Sequence, residues 1–487
     1  MYHINDLKRF MRCPRLFQLS LDDQDTSFNP YVRFDNEVSK LAMQKLKIEE
    51  HFLGVVNDDP SLALEALKNY EWIVKGRFEY NNLRVKAPFL HKRNNGFDLY
   101  FLFLGNYPHE DDILFYSSMV WVLINNNIVI NDVYIVHLNS KYIRQDELDP
   151  DELFIISKHF YNANNNKGAY AKDLIFKRIK NYSEVLFKMD KAISDEVYMP
   201  VRVKACSRFG KCKYYDICFK DELLIENNSI LTLVSSQYKY DMHNNGIKYL
   251  KDVDLALLEG SRKQFAQIMA DTNGGLFFDK IALKTWLAKL QYPLSFLDFE
   301  WETYAIPPYK GMKSYDVLPF QYSLHVIEED NIVHKEFLET DDTREALALR
   351  LINDVPLTGS IIAYNGDAAE KIRIKELAAQ FPKLSKKLMK IHSRIVDLQF
   401  PFDAGIVYDT RMAGQYSLKK IMSLFDDEGY KNLEIHQGMD AVFSWRTLET
   451  ITSEEEINAV KDNLKAYCGM DTYAMIVVYK WLKNLVR

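Results

Sequence analysis

The sequence predicts a mixed α/β protein in two folded parts joined by a helical connector. Three observations carry that expectation. At 487 residues the chain exceeds what one hydrophobic core organises, so two or three domains are expected. Short apolar runs suited to buried strands occur in both halves, as in Leu99 to Leu104, Val133 to Leu138 and Leu294 to Asp298. Helical periodicity follows the last of these, most clearly over Thr343 to Asn353, Ala368 to Gln380 and Glu454 to Leu482. With 47% hydrophobic and 27% charged residues, the composition is that of a globular protein able to bury sizeable cores.

Residues 1–225 read as one unit, with helical patterns at both ends and strands between. Helices are expected at Asp112 to Leu123 and at Leu153 to Ala163. Residues 226–290 are more polar and helical, broken at Asn227-Asn228 and Asn244-Asn245-Gly246, and read as the connector. Residues 291–487 open with strands at Leu294 to Asp298, Phe320 to Ile327 and Ile332 to Leu338, then turn to helices. There is no internal repeat and no low-complexity tract.

A formal net charge of −6 gives no global basic signature, so contact with nucleic acid must come from local patches. The first residues lack the pattern of a signal peptide, and no stretch has the length and apolarity of a membrane span. Five cysteines in a chain this long make no disulfide framework, so a reducing, cytoplasmic setting is expected.

The cysteines cluster instead. Cys206, Cys212 and Cys218 are evenly spaced with five residues between neighbours, and Cys13 lies far upstream in Cys13-Pro14-Arg15-Leu16-Phe17. Zinc sites use tighter pairs. Four thiolates, one of them distant in sequence, suit an iron–sulfur cluster that staples the ends of a domain; unrelated thiols are the alternative. This arrangement resembles the iron–sulfur RecB-type nucleases, whose four cysteines hold a [4Fe-4S] cluster beside a PD-(D/E)xK core. The resemblance covers residues 1–225. Its active site does not carry over: Arg84 to Leu90 lacks an acidic residue, and Phe101 and Phe103 stand where Glu and Lys are expected. Asp98, Glu110, Asp111 and Asp112 read as flanking that strand. The N-terminal half is therefore expected to be a RecB-like domain without nuclease activity.

The C-terminal half carries a second acidic set. Asp298 and Glu300, two apart on a strand, share one face, and Tyr467 and Asp471, four apart on a helix, share another. An acidic strand facing an acidic helix can hold two divalent cations about 3.5–4 Å apart, the chemistry of phosphodiester cleavage. Leu297-Asp298-Phe299-Glu300 and Tyr467-Cys468-Gly469-Met470-Asp471 resemble the first and third motifs of the DEDDy-type 3′–5′ exonucleases, which have an RNase-H-like fold. The middle motif resembles Ile361 to Asn365 followed by a helix. Its acid should fall at Ala369, so Glu370 is the favoured ligand and Asp367 the fallback. Cys468 reads as a packed small residue, Asp397 as a cap or turn residue, His325 as a satisfied core or edge histidine, and Lys419-Lys420 as a solvated face that could meet phosphates. Trp301, Tyr304, Tyr309 and Tyr315 can stack bases or simply pack.

Pro319 to His325, Gly414 to Lys420 and His137 to Tyr142, taken with these motifs, resemble the bacterial family called domain of unknown function 2779, which joins both kinds of half. The resemblance implies a nuclease of the 3′–5′ exonuclease class acting on a nucleic-acid end, single-stranded, DNA or RNA. Two Mg2+ or Mn2+ ions would be held by Asp298, Glu300, Glu370 and Asp471, and Tyr467 would orient the attacking water. The competing reading is a non-catalytic nucleic-acid-binding or defence-complex module with both nuclease sites degenerate.

Overall fold

The computed structural model describes residues 1–21, 35–194, 198–206, 212–219, 227–258, 260–329, 331–425 and 429–487. They fall into two compact units, Met1–Phe219 with Tyr304–Tyr315, and Lys220–Thr303 with Asp316–Arg487.

The first unit is built on a seven-stranded mixed sheet. Its strands are β1 (Tyr2–His3), β2 (His51–Leu53), β3 (Trp72–Tyr80), β4 (Leu83–Arg93), β5 (Gly96–Phe103), β6 (Ile130–Leu138) and β7 (Phe154–Ser157). They lie in the order β2-β3-β4-β5-β6-β7, with β1 paired to β4. Tight turns at Asn81-Asn82 and Asn94, all with positive φ, close the antiparallel β3-β4-β5 meander. β5 and β6 are parallel, so the chain must cross over between them, and the helix Ile113–Asn125 does so. Its apolar face buries Met119, Val120 and Val122 against Leu99, Phe101 and Val133, which explains why it lacks a polar stripe. Strands β8 (His159–Tyr161) and β9 (Lys167–Tyr170) form a separate hairpin.

Two expectations fail here. The stretch expected to be helical from Leu153 to Ala163 is the strand β7 and the start of the hairpin. Phe154-Ile155-Ile156 is aromatic and β-branched, and pairing with the edge of β6 decides its conformation. Asp98 lies on β5, opposite His91 of β4, and does not merely flank it.

The second unit holds a five-stranded sheet in the order β13-β12-β11-β14-β15. A small pair, β10 (Leu276–Phe278) with β16 (Val407–Asp409), stands apart. The main strands are β11 (Leu294–Thr303), β12 (Val317–Glu328), β13 (Asn331–Leu338), β14 (Ile361–Ala363) and β15 (Ile395–Asp397). The first three are antiparallel, whereas β14 and β15 run parallel to β11. Along β11 the side chains alternate: Leu294 and Phe296 join a core with Ala474, Met475 and Tyr479, and Leu297 and Phe299 join another with Leu347, Leu351 and Ile374. The helix Glu454–Leu485 therefore covers the face on which Asp298 and Glu300 also lie. Ser453 caps it by accepting from Glu456 N, and Glu454, Glu455 and Glu456 complement its dipole. Residues 226–290 contribute to this unit, with Ala266, Ala270 and Trp286 in its core.

No helix of the described residues is long and apolar enough to cross a membrane.

Candidate metal centre

Alternation along β11 aims Asp298 and Glu300 at the C-terminal helix, and the helical repeat sets Tyr467 and Asp471 on the surface that meets them. A bulge follows immediately: Glu300 pairs with Gln321, but Trp301 pairs with Pro319, whose missing N–H interrupts the ladder. Carboxylate oxygens of Asp298, Glu300 and Asp471 all lie within 4.8 Å of one another. Among the described residues this is the one group of three or more metal-ligating side chains packed so tightly.

Glu370 of the middle motif is not one of the three residues whose oxygens lie within 4.8 Å of one another, but its charge acts on Asp298 and Glu300. Asn365 adopts φ 58°, a conformation its short polar side chain tolerates, and the turn after it delays the helix Glu370–Gln380 until Glu370. That turn absorbs the extra residue relative to the expected position, Ala369. Glu370 is 1% exposed and its Oε2 has no hydrogen-bond partner. Asp367, the fallback, is likewise outside that group, and its side chain is exposed and accepts from Lys371. Asp397 accepts from the backbone N–H groups of Asn365 and Gln399 at 3.0 and 2.8 Å, the turn role expected of it.

Four carboxyl groups crowded in a buried space cannot all ionise cheaply. Burial first, then the Asp471, Glu300 and Glu370 charges, hold Asp298 well above the usual carboxylate range. Glu300 is raised by burial and by Asp471, with Lys419 opposing. Glu370 is pushed up to about 8, chiefly by burial. Asp471 reaches only about 6, because the Tyr430 hydroxyl and the Lys419 charge oppose its burial.

Those two opposing groups were not assigned to the site from sequence. The Tyr430 hydroxyl donates to Asp471 Oδ1 at 2.6 Å, and Lys419 Nζ donates to the Tyr467 hydroxyl at 2.8 Å. Lys419 also lies over the Tyr467 ring, 4.5 Å from its centroid, so it is not on a solvated face. The Ser-Leu-Lys-Lys run was a signal for Lys419; Tyr430 sits in no pattern that marks it. Cys468 is fully buried, as expected of a packed small residue, and its thiol also donates to Asp298 Oδ2 at 3.6 Å. His325 bonds Thr472 Oγ1 at 2.7 Å and stacks on His334, a satisfied pair. Of the aromatic group, Trp301 stays in this unit under the Arg373 guanidinium, whereas Tyr304, Tyr309 and Tyr315 fold with the first unit.

In the first unit Cys13, Cys206, Cys212 and Cys218 line one small cavity, with Arg12, Arg15 and Tyr215 also in its wall. The Cys212 N–H donates to the Cys206 carbonyl at 2.8 Å; residues 207–211 between them lie outside the described set. Phe101 is fully buried in the core, and Phe103 packs at its margin.

Comparisons with curated proteins and with solved structures find no match. The segment that carries Asp298, Glu300 and Glu370 is similar to the family described as Domain of unknown function (DUF2779), whose model matches residues 295–417.

Proposed function

We propose that the second unit is an RNase-H-like, DEDDy-type 3′–5′ exonuclease that hydrolyses single-stranded nucleic-acid ends with divalent metal. The observation that carries this reading is the oxygen cluster of Asp298, Glu300 and Asp471 within 4.8 Å, with Glu370, whose Oε2 has no hydrogen-bond partner, in its electrostatic reach. The donor set fits magnesium or manganese, because every donor is a hard carboxylate oxygen. A buried cluster of like charges is also costly unless cations compensate it. Asp298, Glu300, Glu370 and Asp471 would hold the ions, which when bound supply an activated water and stabilise charge on the leaving oxygen.

The remaining roles belong to the chain itself. Lys419 donates to the Tyr467 oxygen, which leaves the phenolic proton of Tyr467 to orient a water. Tyr430 occupies Asp471 Oδ1 and so fixes how that carboxylate faces the cluster. The first unit is read as a RecB-like domain that has lost its nuclease residues and holds a [4Fe-4S] cluster on its four cysteines. What supports this is that all four cysteines line one cavity.

With end-labelled oligonucleotides and magnesium or manganese, the parent is expected to shorten the strand from its 3′ end. Asp298→Ala and Asp471→Ala should lower the rate about 10³-fold. Equal rates in parent and variants would replace this reading with the non-catalytic nucleic-acid-binding or defence-complex module. For the cluster, anaerobically purified protein should carry iron and visible absorption that Cys206→Ser loses; colourless, iron-free parent protein overturns that part.

A further inference from the structure

β13 is the outer strand of its sheet, and its pairing with β12 sets His334 directly opposite His325. Side chains opposed in this way stand about 4.5–5.5 Å apart at Cβ, a span that two imidazoles can bridge with one ion. The rings lie nearly parallel, with 4.2 Å between centroids and 14° between planes. His334 is exposed and His325 half-buried, so the pair is reached from solvent at the sheet edge. Each ring is held through one nitrogen: His325 Nδ1 bonds Thr472 Oγ1 at 2.7 Å, and His334 Nε2 bonds Ser323 Oγ at 2.9 Å. Among the described residues nothing bonds the second nitrogen of either ring.

The hydroxyls fix where the imidazole protons sit. Thr472 Oγ1 donates its one proton to the Gly469 carbonyl at 3.0 Å, so it accepts from Ser323 Oγ, at 2.7 Å, and from His325 Nδ1. Ser323 donates to Thr472 and therefore accepts from His334 Nε2. In the neutral rings a lone pair is left on His325 Nε2 and on His334 Nδ1. Burial favours that neutral form: it pushes His325 down to about 4, with the His334 charge adding, and lowers His334 against the opposing Glu336 charge. A neutral imidazole anchored through its other N–H is the form in which histidine binds metal. Glu336 lies two residues from His334 on β13 and opposite Ser323, hence on the same face. Its partner is Lys465 at 3.1 Å, in a partly exposed ion pair that is cheap to exchange. We infer that His325 Nε2, His334 Nδ1 and the Glu336 carboxylate bind a divalent transition-metal ion of the zinc class. Imidazole nitrogen suits zinc, copper or nickel and not magnesium, so this site differs in kind from the all-oxygen cluster of Asp298, Glu300 and Asp471. It does not rest on the second unit being a nuclease.

The test is zinc titration of the full chain, stripped of metal and held in excess magnesium, which competes for carboxylate oxygens but not for imidazoles. Zinc taken up by the cysteines is common to parent and variants and cancels in the comparison. The parent should bind one more zinc per chain than His334→Gln, whose amide can still donate to Ser323. Asp298→Ala should keep that ion; its loss there would place the zinc on the acidic cluster and overturn the inference. Glu336→Gln should weaken it about tenfold or more, and an unchanged affinity overturns the assignment of Glu336. The whole inference is overturned if His334→Gln binds as many zinc ions as tightly as the parent. Should His334→Gln melt below the parent, Ser323→Ala replaces it. Removing the acceptor that anchors His334 must then weaken the same zinc about tenfold or more for the inference to stand.

Discussion

The two sheets treat charge in opposite ways. On β11 the face turned to the C-terminal helix carries Asp298 and Glu300 into a space that already holds Asp471 and Glu370, and every one of these carboxyl groups is raised by burial. On β5 the positions where the resemblance to RecB-type nucleases would expect Glu and Lys are Phe101, buried in the core, and Phe103 at its margin. Burying a carboxylate without a partner costs several kcal/mol, so a strand packed into a core is more stable with apolar residues there. A strand that keeps its acids against that cost keeps them for a use.

The contrast can be broken from either side. Its largest test is the loss of the proposed nuclease activity in Asp298→Ala, which should leave the melting temperature unchanged or higher, because a mutually repelling carboxylate is gone. From the other side, Phe101→Glu should confer no nuclease activity and should destabilise the first unit by about 4 kcal/mol or more, read by chemical denaturation. Tolerance of that glutamate would mean the apolar strand is not committed to the core. A smaller effect is expected for Tyr430→Phe, which removes the donor on Asp471 and should weaken manganese binding about 10–100-fold.

The smallest effect concerns pH. Glu370 rises from 4.5 to about 8 and Asp471 from 3.8 to about 6. A carboxyl raised in the fold binds more protons folded than unfolded between those values, so its contribution is fully present below the unfolded value and is lost as pH rises through the folded one. The metal-free melting temperature should therefore fall between about pH 4.5 and pH 8. Added magnesium should flatten the slope by stabilising most at the high end. A slope that rises over this window would remove the carboxylate cluster as its cause.

Much of this was legible in the sequence, and for local reasons. The strands at Leu294, Phe320 and Ile332 and the helices at Thr343, Ala368 and Glu454 have periods that their packing preserves. Asp298, Glu300 and Asp471 were legible because a strand repeat of two and a helix repeat of four each fix a face. Phe154 to Ser157 was misread because the edge of β6, not local pattern, makes it a strand. That Glu370 is buried and Asp367 exposed follows the turn at a left-handed Asn365, which spacing alone does not reveal. Tyr430 was invisible because its role comes from a contact 41 residues away in sequence.

The excursion Tyr304–Tyr315 has a consequence for how the chain matures. Its residues Ala305 and Ile306 are buried in a core of the first unit, and the Tyr315 hydroxyl donates to the Leu104 carbonyl there. Synthesis runs from the N-terminus, so the first unit cannot finish folding until Tyr315 has left the ribosome, after β11 has emerged. Cutting the gene near residue 225 would strand that strap on the wrong fragment and leave the N-terminal piece with an open core.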